Sequence, residues 1–167
     1  MNLDAKSVML GKIIATKSLV KKQAKVIKEL EGELAELASG DVSQFESKDL
    51  QRVGRALRDF HICIENALGF IAHNFDDGIP KTENVHYDLL TQMSRESENV
   101  RPAVIDKALV EDLKEYLKFR LEFESGEKDV LSAERVGGLL QKLKTTSSAA
   151  RQQLTDFFDE VKKYHDI

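Results

Sequence analysis

The sequence predicts an all-α protein: an antiparallel up-and-down bundle of four to five helices. Three observations predict it. Apolar residues recur three and four apart over stretches of about 30 residues, the repeat of one helix face. Only two prolines and nine glycines interrupt 167 residues, so long elements can run unbroken. No segment alternates apolar and polar residues as a half-buried strand does. Hydrophobic residues make up 41% and charged residues 32%, too apolar for a disordered chain. The length suits one core, so residues 1–167 are expected to form a single domain.

The first helix is expected from about Asp4 to Leu37. Met9, Ile13, Thr16, Val20, Gln23, Ile27, Leu30, Leu34 and Leu37 form its inward stripe, and Ser39-Gly40 stops it. The second runs from about Ser47 to Asn74, with Leu50, Val53, Leu57, Phe60, Ile64, Ala67 and Ile71 facing inward. "FDDGIP" ends it, because Gly78 permits a left-handed turn and Pro80 cannot continue a helix. The third is short, about Thr82 to Ser94, with His86, Leu89, Leu90 and Met93 on one side. Pro102 separates it from the fourth, about Asp106 to Phe123, which Gly126 closes. The fifth, about Ser132 to Tyr164, carries Val136, Leu140, Leu143, Ser147, Ala150, Leu154, Phe157, Val161 and Tyr164. Each stripe needs a partner to cover it, and long helices joined by short turns lie side by side.

Many functions are excluded by what the sequence lacks. One cysteine, Cys63, permits no intrachain disulfide and no thiolate zinc site. It lies in an apolar run and is expected to be a buried thiol in a cytoplasmic protein. His61, His73, His86 and His165 form no metal-ligand spacing. No glycine-rich phosphate loop or nucleophile elbow is present, so no metal and no cofactor are expected. No run approaches the roughly 18 apolar residues of a membrane span, and the N-terminus does not read as a signal peptide. The formal charge of −4 argues against a whole-molecule polyanion binder. Lys6, Lys17, Lys21, Lys25 and Lys28 nevertheless share about a third of the first helix's circumference, a face that water, a protein or phosphates could meet.

One residue breaks the apolar pattern. At 100° per residue, Leu109, Leu113, Tyr116, Leu117 and Phe123 fall in one sector, and Arg120 lies at its centre. A buried guanidinium must find an anion or reach water. Glu122, Glu124 and Glu127 stand close enough in sequence to pair with it, or it could snorkel past Phe119 and Phe123. His61, beside Phe60, is expected to be half-buried and satisfied by a neighbour. His86 is expected to make a structural hydrogen bond.

The stretch from about residue 55 to 140 resembles the HepT-like ribonuclease toxins of the HEPN superfamily. "FDDGIP", "ENVHYDLLTQM", "VRPAVI" and "LKEYLKFR" carry the likeness. The resemblance implies a HEPN-like bundle, a homodimer, and a nucleotidyltransferase-like antitoxin encoded beside it. It also implies metal-independent cleavage of RNA. There an arginine holds the scissile phosphate and a histidine, four to six residues later, moves the proton. Arg120 stands at the arginine position. Ser125 stands in place of the histidine, Glu127 in place of a tyrosine that some members have nucleotidylated, and Leu121 in place of a frequent polar residue. A serine does not titrate near neutral pH, and the glutamates would repel phosphate. The expectation is therefore a toxin-antitoxin protein with a degenerate ribonuclease motif, acting mainly as a dimerising binding module and grasping rather than cutting. One alternative is an active metal-independent endoribonuclease that binds RNA and draws its histidine from His61 or His86. The other is a helical scaffold or adaptor.

Overall fold

A computed structural model describes residues 2–167 and contains five α-helices: α1 (Leu3–Leu37), α2 (Ser47–Phe75), α3 (Val85–Met93), α4 (Lys107–Glu124) and α5 (Ala133–Tyr164). A single 3₁₀ turn, Val42–Gln44, links α1 to α2. The chain is an all-helical bundle. Among the described residues the only extended pairing is an isolated bridge between Ser97 and Arg101.

The start signals lie where the side-chain chemistry calls for them. The Asn2 side chain accepts the Ala5 N–H at 2.8 Å, and the Asp106 carboxylate accepts that of Leu109 at 2.8 Å. Ser132 Oγ accepts the Arg135 N–H at 3.2 Å. Each satisfies a donor that the first helical turn leaves free. Gly78 and Gly126, at φ 102° and 70°, take the left-handed turns after α2 and α4. Only α3 is clearly shorter than the sequence suggests. Thr82 donates its hydroxyl to the Asp88 carboxylate at 2.6 Å, and residues 82–84 form a turn instead of a first helical turn.

Pairings between helices fix their directions. Lys6 meets Asp166 and Glu31 meets Arg151, so α1 and α5 run oppositely. Glu65 meets Arg120 while Gly54 lies against Phe123, so α2 and α4 do too. Lys142 with Glu115 and Arg135 with Glu122 set α4 against α5 in the same sense. The predicted stripes form the core: Ile13, Val20, Ile27 and Leu34 of α1, Val53 to Ile71 of α2, and Val136 to Val161 of α5. Tyr116, at the centre of α4, is fully buried and donates its hydroxyl to the Leu139 carbonyl at 2.7 Å. Gly54 lets α4 come close, since a methyl there would lie 2.7 Å from both Phe123 and Leu131. Cys63 is half-buried rather than buried, and burial together with Asp59 raises its thiol above the usual range. Among the described residues no helix is long and apolar enough to cross a membrane.

The loop between α3 and α4 is anchored by a buried guanidinium. Arg101 is 1% exposed and grips Asp76 with two bonds, Nε to Oδ1 at 2.8 Å and Nη2 to Oδ2 at 2.7 Å. Its remaining donors reach the carbonyls of Arg95, Pro102 and Gln92. The Gln92 amide completes the knot by donating to Asp76 at 2.7 Å and to the Gly78 carbonyl at 3.1 Å.

Candidate functional site

Arg120 sits near the end of α4, facing α2, with 11% of its side chain exposed. Its guanidinium is occupied on two sides. Nη1 donates to Glu65 Oε1 at 3.1 Å, and Nε donates to Glu124 Oε1 at 3.1 Å. Nη1 also donates to His61 Nδ1 at 3.2 Å. Glu65 passes the connection on, its Oε2 accepting from His86 Nδ1 at 2.6 Å. Five side chains from three helices are thus linked: His61 and Glu65 from α2, Arg120 and Glu124 from α4, His86 from α3. His61 and Glu65 are four apart on α2, so they share its face toward α4.

Although Ser125 stands in place of the motif histidine, these contacts do set an imidazole beside Arg120. It comes from α2, not from the end of α4. It is also not half-buried: His61 is 1% exposed, and its Nε2 has no partner. An arginine can only donate, so Nδ1 must be the accepting nitrogen and the proton must lie on Nε2. Burial, foremost, pushes the imidazole down from its ordinary 6.5 to about 4, helped by the positive charge of Arg120 and by His86 and opposed by Glu65. His61 is therefore neutral at physiological pH, with its lone pair already engaged. Glu65 experiences burial that would raise its pKa. Hydrogen bonds from His86 and Arg120, and the arginine's charge, outweigh burial and hold the carboxyl below its usual value.

Ser125 lies outside this cluster. It is the exposed C-cap of α4, its hydroxyl donating to the Glu122 carbonyl at 3.1 Å. Of the three glutamates named from the sequence, Glu124 pairs with Arg120 and Glu122 with Arg135, whereas Glu127 is exposed. Arg135, not Arg120, lies over the Phe119 ring, 5.9 Å from its centre. His86 makes its expected hydrogen bond and is about a third exposed. With Glu65 it borders a cleft of about 260 Å³ whose walls include Phe70, Ile79, Val85 and Leu89. No group of residues suited to a metal ion occurs among the described residues.

The His61 environment predicts a pH dependence of stability. Unfolded, the ring titrates near 6.5; folded, near 4. Between those values the folded state binds fewer protons, so the stability it contributes is complete above the unfolded pKa and drains away as pH falls. From pH 7 to pH 5 the loss should be roughly 2 kcal/mol. Urea unfolding at both pH values, on the native protein and on His61→Gln, measures it. The variant should show a clearly smaller loss, and equal losses would contradict the burial argument. Glu65 titrates lower and contributes mainly beneath this window.

The chain is an antiparallel all-helical bundle with an arginine near the end of its fourth helix, facing the second. A family model described as "HepT-like protein" matches residues 52–161, about two thirds of the chain. The chain belongs to the HepT-like family, and α1 lies outside the matched residues. No curated protein and no solved structure matches the chain.

Proposed function

We propose that this HepT-like protein of toxin-antitoxin type acts mainly as a dimerising binding module whose ribonuclease motif is degenerate. Residues 1–167 serve as one domain, pairing with a second copy and engaging a nucleotidyltransferase-like antitoxin in the cytoplasm. The observation that carries this reading is the state of Arg120. Two carboxylates, Glu65 and Glu124, already surround its guanidinium. A phosphate arriving there would meet a cluster with no spare positive charge, and it would displace charge-assisted bonds to gain similar ones. The neighbouring ring is buried, neutral and weakly basic, and Ser125 offers no titratable group. Arg120 then acts as a structural clamp between α2 and α4.

Expression in a bacterial host tests this. Cells making the native protein should grow as cells making Arg120→Ala do. Growth arrest that Arg120→Ala abolishes would contradict the binding role. Light scattering on the purified protein should give the mass of two chains.

One observation favours the ribonuclease reading: His61 touches Arg120 at 3.2 Å, with His86 linked through Glu65. In that reading Arg120 holds phosphate and His86, the more exposed ring, moves the proton. It requires Glu65 and Glu124 to release the guanidinium together.

A further inference from the structure

Helix α1 carries a second stripe that the bundle does not use. The inward stripe occupies one side. About a third of a turn away run Leu3, Ser7, Leu10, Ile14, Lys17, Lys21, Ala24 and Lys28, spaced four and three apart throughout. This is the spacing of a coiled-coil seam. It points outward: Leu3 is 86% exposed, Ile14 62% and Leu10 37%, and Lys21 and Lys28 are exposed. Lys25 flanks it, 3.9 Å from Glu29. Taken at 100° per residue, no carboxylate falls on this face from Leu3 to Lys28; Asp4 and Glu29 lie to one side. The seam therefore carries Leu3, Leu10 and Ile14 at its start and, apart from Ala24, only lysines beyond.

We propose that this outer seam of α1 docks a helix of a partner protein that is apolar over two heptads and acidic over the next two. The inference rests on the binding-module reading and supplies the chemistry of its partner. Both halves of the seam are needed for the assignment. A nucleic acid would match the lysines but has no use for Leu3, Leu10 and Ile14, and no aromatic residue on the seam offers a base a stacking surface. A membrane-surface helix needs apolar residues along its whole length, whereas this seam confines them to one end. A second copy of α1 is a poor match, because parallel pairing sets lysine against lysine. Antiparallel pairing about Ile14 offers those lysines only Asp4. An acidic amphipathic helix covers the aliphatic end and neutralises the basic one, the arrangement that selects partners in helix pairing.

The probe is a fluorescent 28-residue helical peptide with leucine at a and d of two heptads and glutamate at a, d, e and g of the other two, made in both heptad orders. Anisotropy with the native full-length protein should show saturable binding of one order. Lys21→Glu/Lys25→Glu/Lys28→Glu should weaken it at least about tenfold, and Leu10→Ser/Ile14→Ser at least about threefold. All five side chains are exposed, and circular dichroism melting should confirm that the variants stay folded. Failure of both peptide orders to bind would overturn the proposal. So would binding indifferent to Leu10 and Ile14. A 20-nucleotide uridine RNA, or vesicles of phosphatidylserine and phosphatidylcholine, binding as tightly through the same residues would also overturn it. The readout is peptide affinity, so it succeeds or fails independently of growth arrest and RNA cleavage.

Discussion

Arg101→Met is expected to destabilise the protein by about 3–5 kcal/mol, the cost of leaving one partner of a buried ion pair behind. The side chain is 1% exposed and its hydrogen bonds all stay within the protein: two to Asp76, and others to three backbone carbonyls. Removing it strands Asp76 with only the Gln92 amide to satisfy it. It also frees the chain between α3 and α4, whose path the guanidinium holds. Urea unfolding at neutral pH measures the loss. Arg55→Met, at an exposed position on α2, should stay within about 0.5 kcal/mol of the parent. Arg101→Met/Asp76→Asn should recover part of the loss, because it removes the stranded charge. A single variant as stable as the parent would show that the pair is dispensable to the fold.

The second large effect concerns chemistry. Glu124→Gln/Ser125→His is expected to raise RNA cleavage by about 10²-fold over the parent's background, the lower range of what a positioned proton carrier supplies. The two changes act on different deficits. Ser125 is exposed at the C-cap of α4, so an imidazole there would titrate near its ordinary value, where it can exchange protons at neutral pH. Glutamine at position 124 removes one of the two carboxylates on Arg120. Ser125→His alone should give a smaller rise, since the guanidinium would remain paired on both sides. Gel assays of a labelled single-stranded RNA, with chelator present, follow both variants. A folded double variant with no added cleavage would contradict the placing of Ser125 at the histidine position.

The helices were legible because their stripes and caps are local features. Ile13 to Leu34, Val53 to Ile71 and Val136 to Val161 obey the helical period, and Gly78 and Gly126 stand where φ is positive. The one clear boundary difference, at Thr82, came from a side-chain bond to Asp88 that competes with the helix. The site was less legible. Arg120 stood out as a charge on an apolar face, with Glu122, Glu124 and Glu127 as candidate partners, of which Glu124 pairs with it. Its other neighbours, His61 and Glu65, lie 59 and 55 residues away in sequence, beyond any reading by period. Their four-residue spacing on α2 was the available signal. The same holds for Asp76, Gln92 and Arg101. They lie in "FDDGIP", "LLTQM" and "VRPAV", three stretches that carry the family likeness, and they turn out to be a single buried knot. Much of what makes the sequence recognisable is thus the fold's own fastening.

On the proposed function, Arg120, held by two carboxylates beside a neutral buried ring, does not cut RNA. The check is to incubate the purified protein with a mixed-sequence single-stranded RNA at neutral pH, with chelator present and Arg120→Ala alongside. The expected result is intact RNA over hours for both proteins, indistinguishable from buffer. Cleavage by the native protein that disappears in a folded Arg120→Ala variant would contradict it.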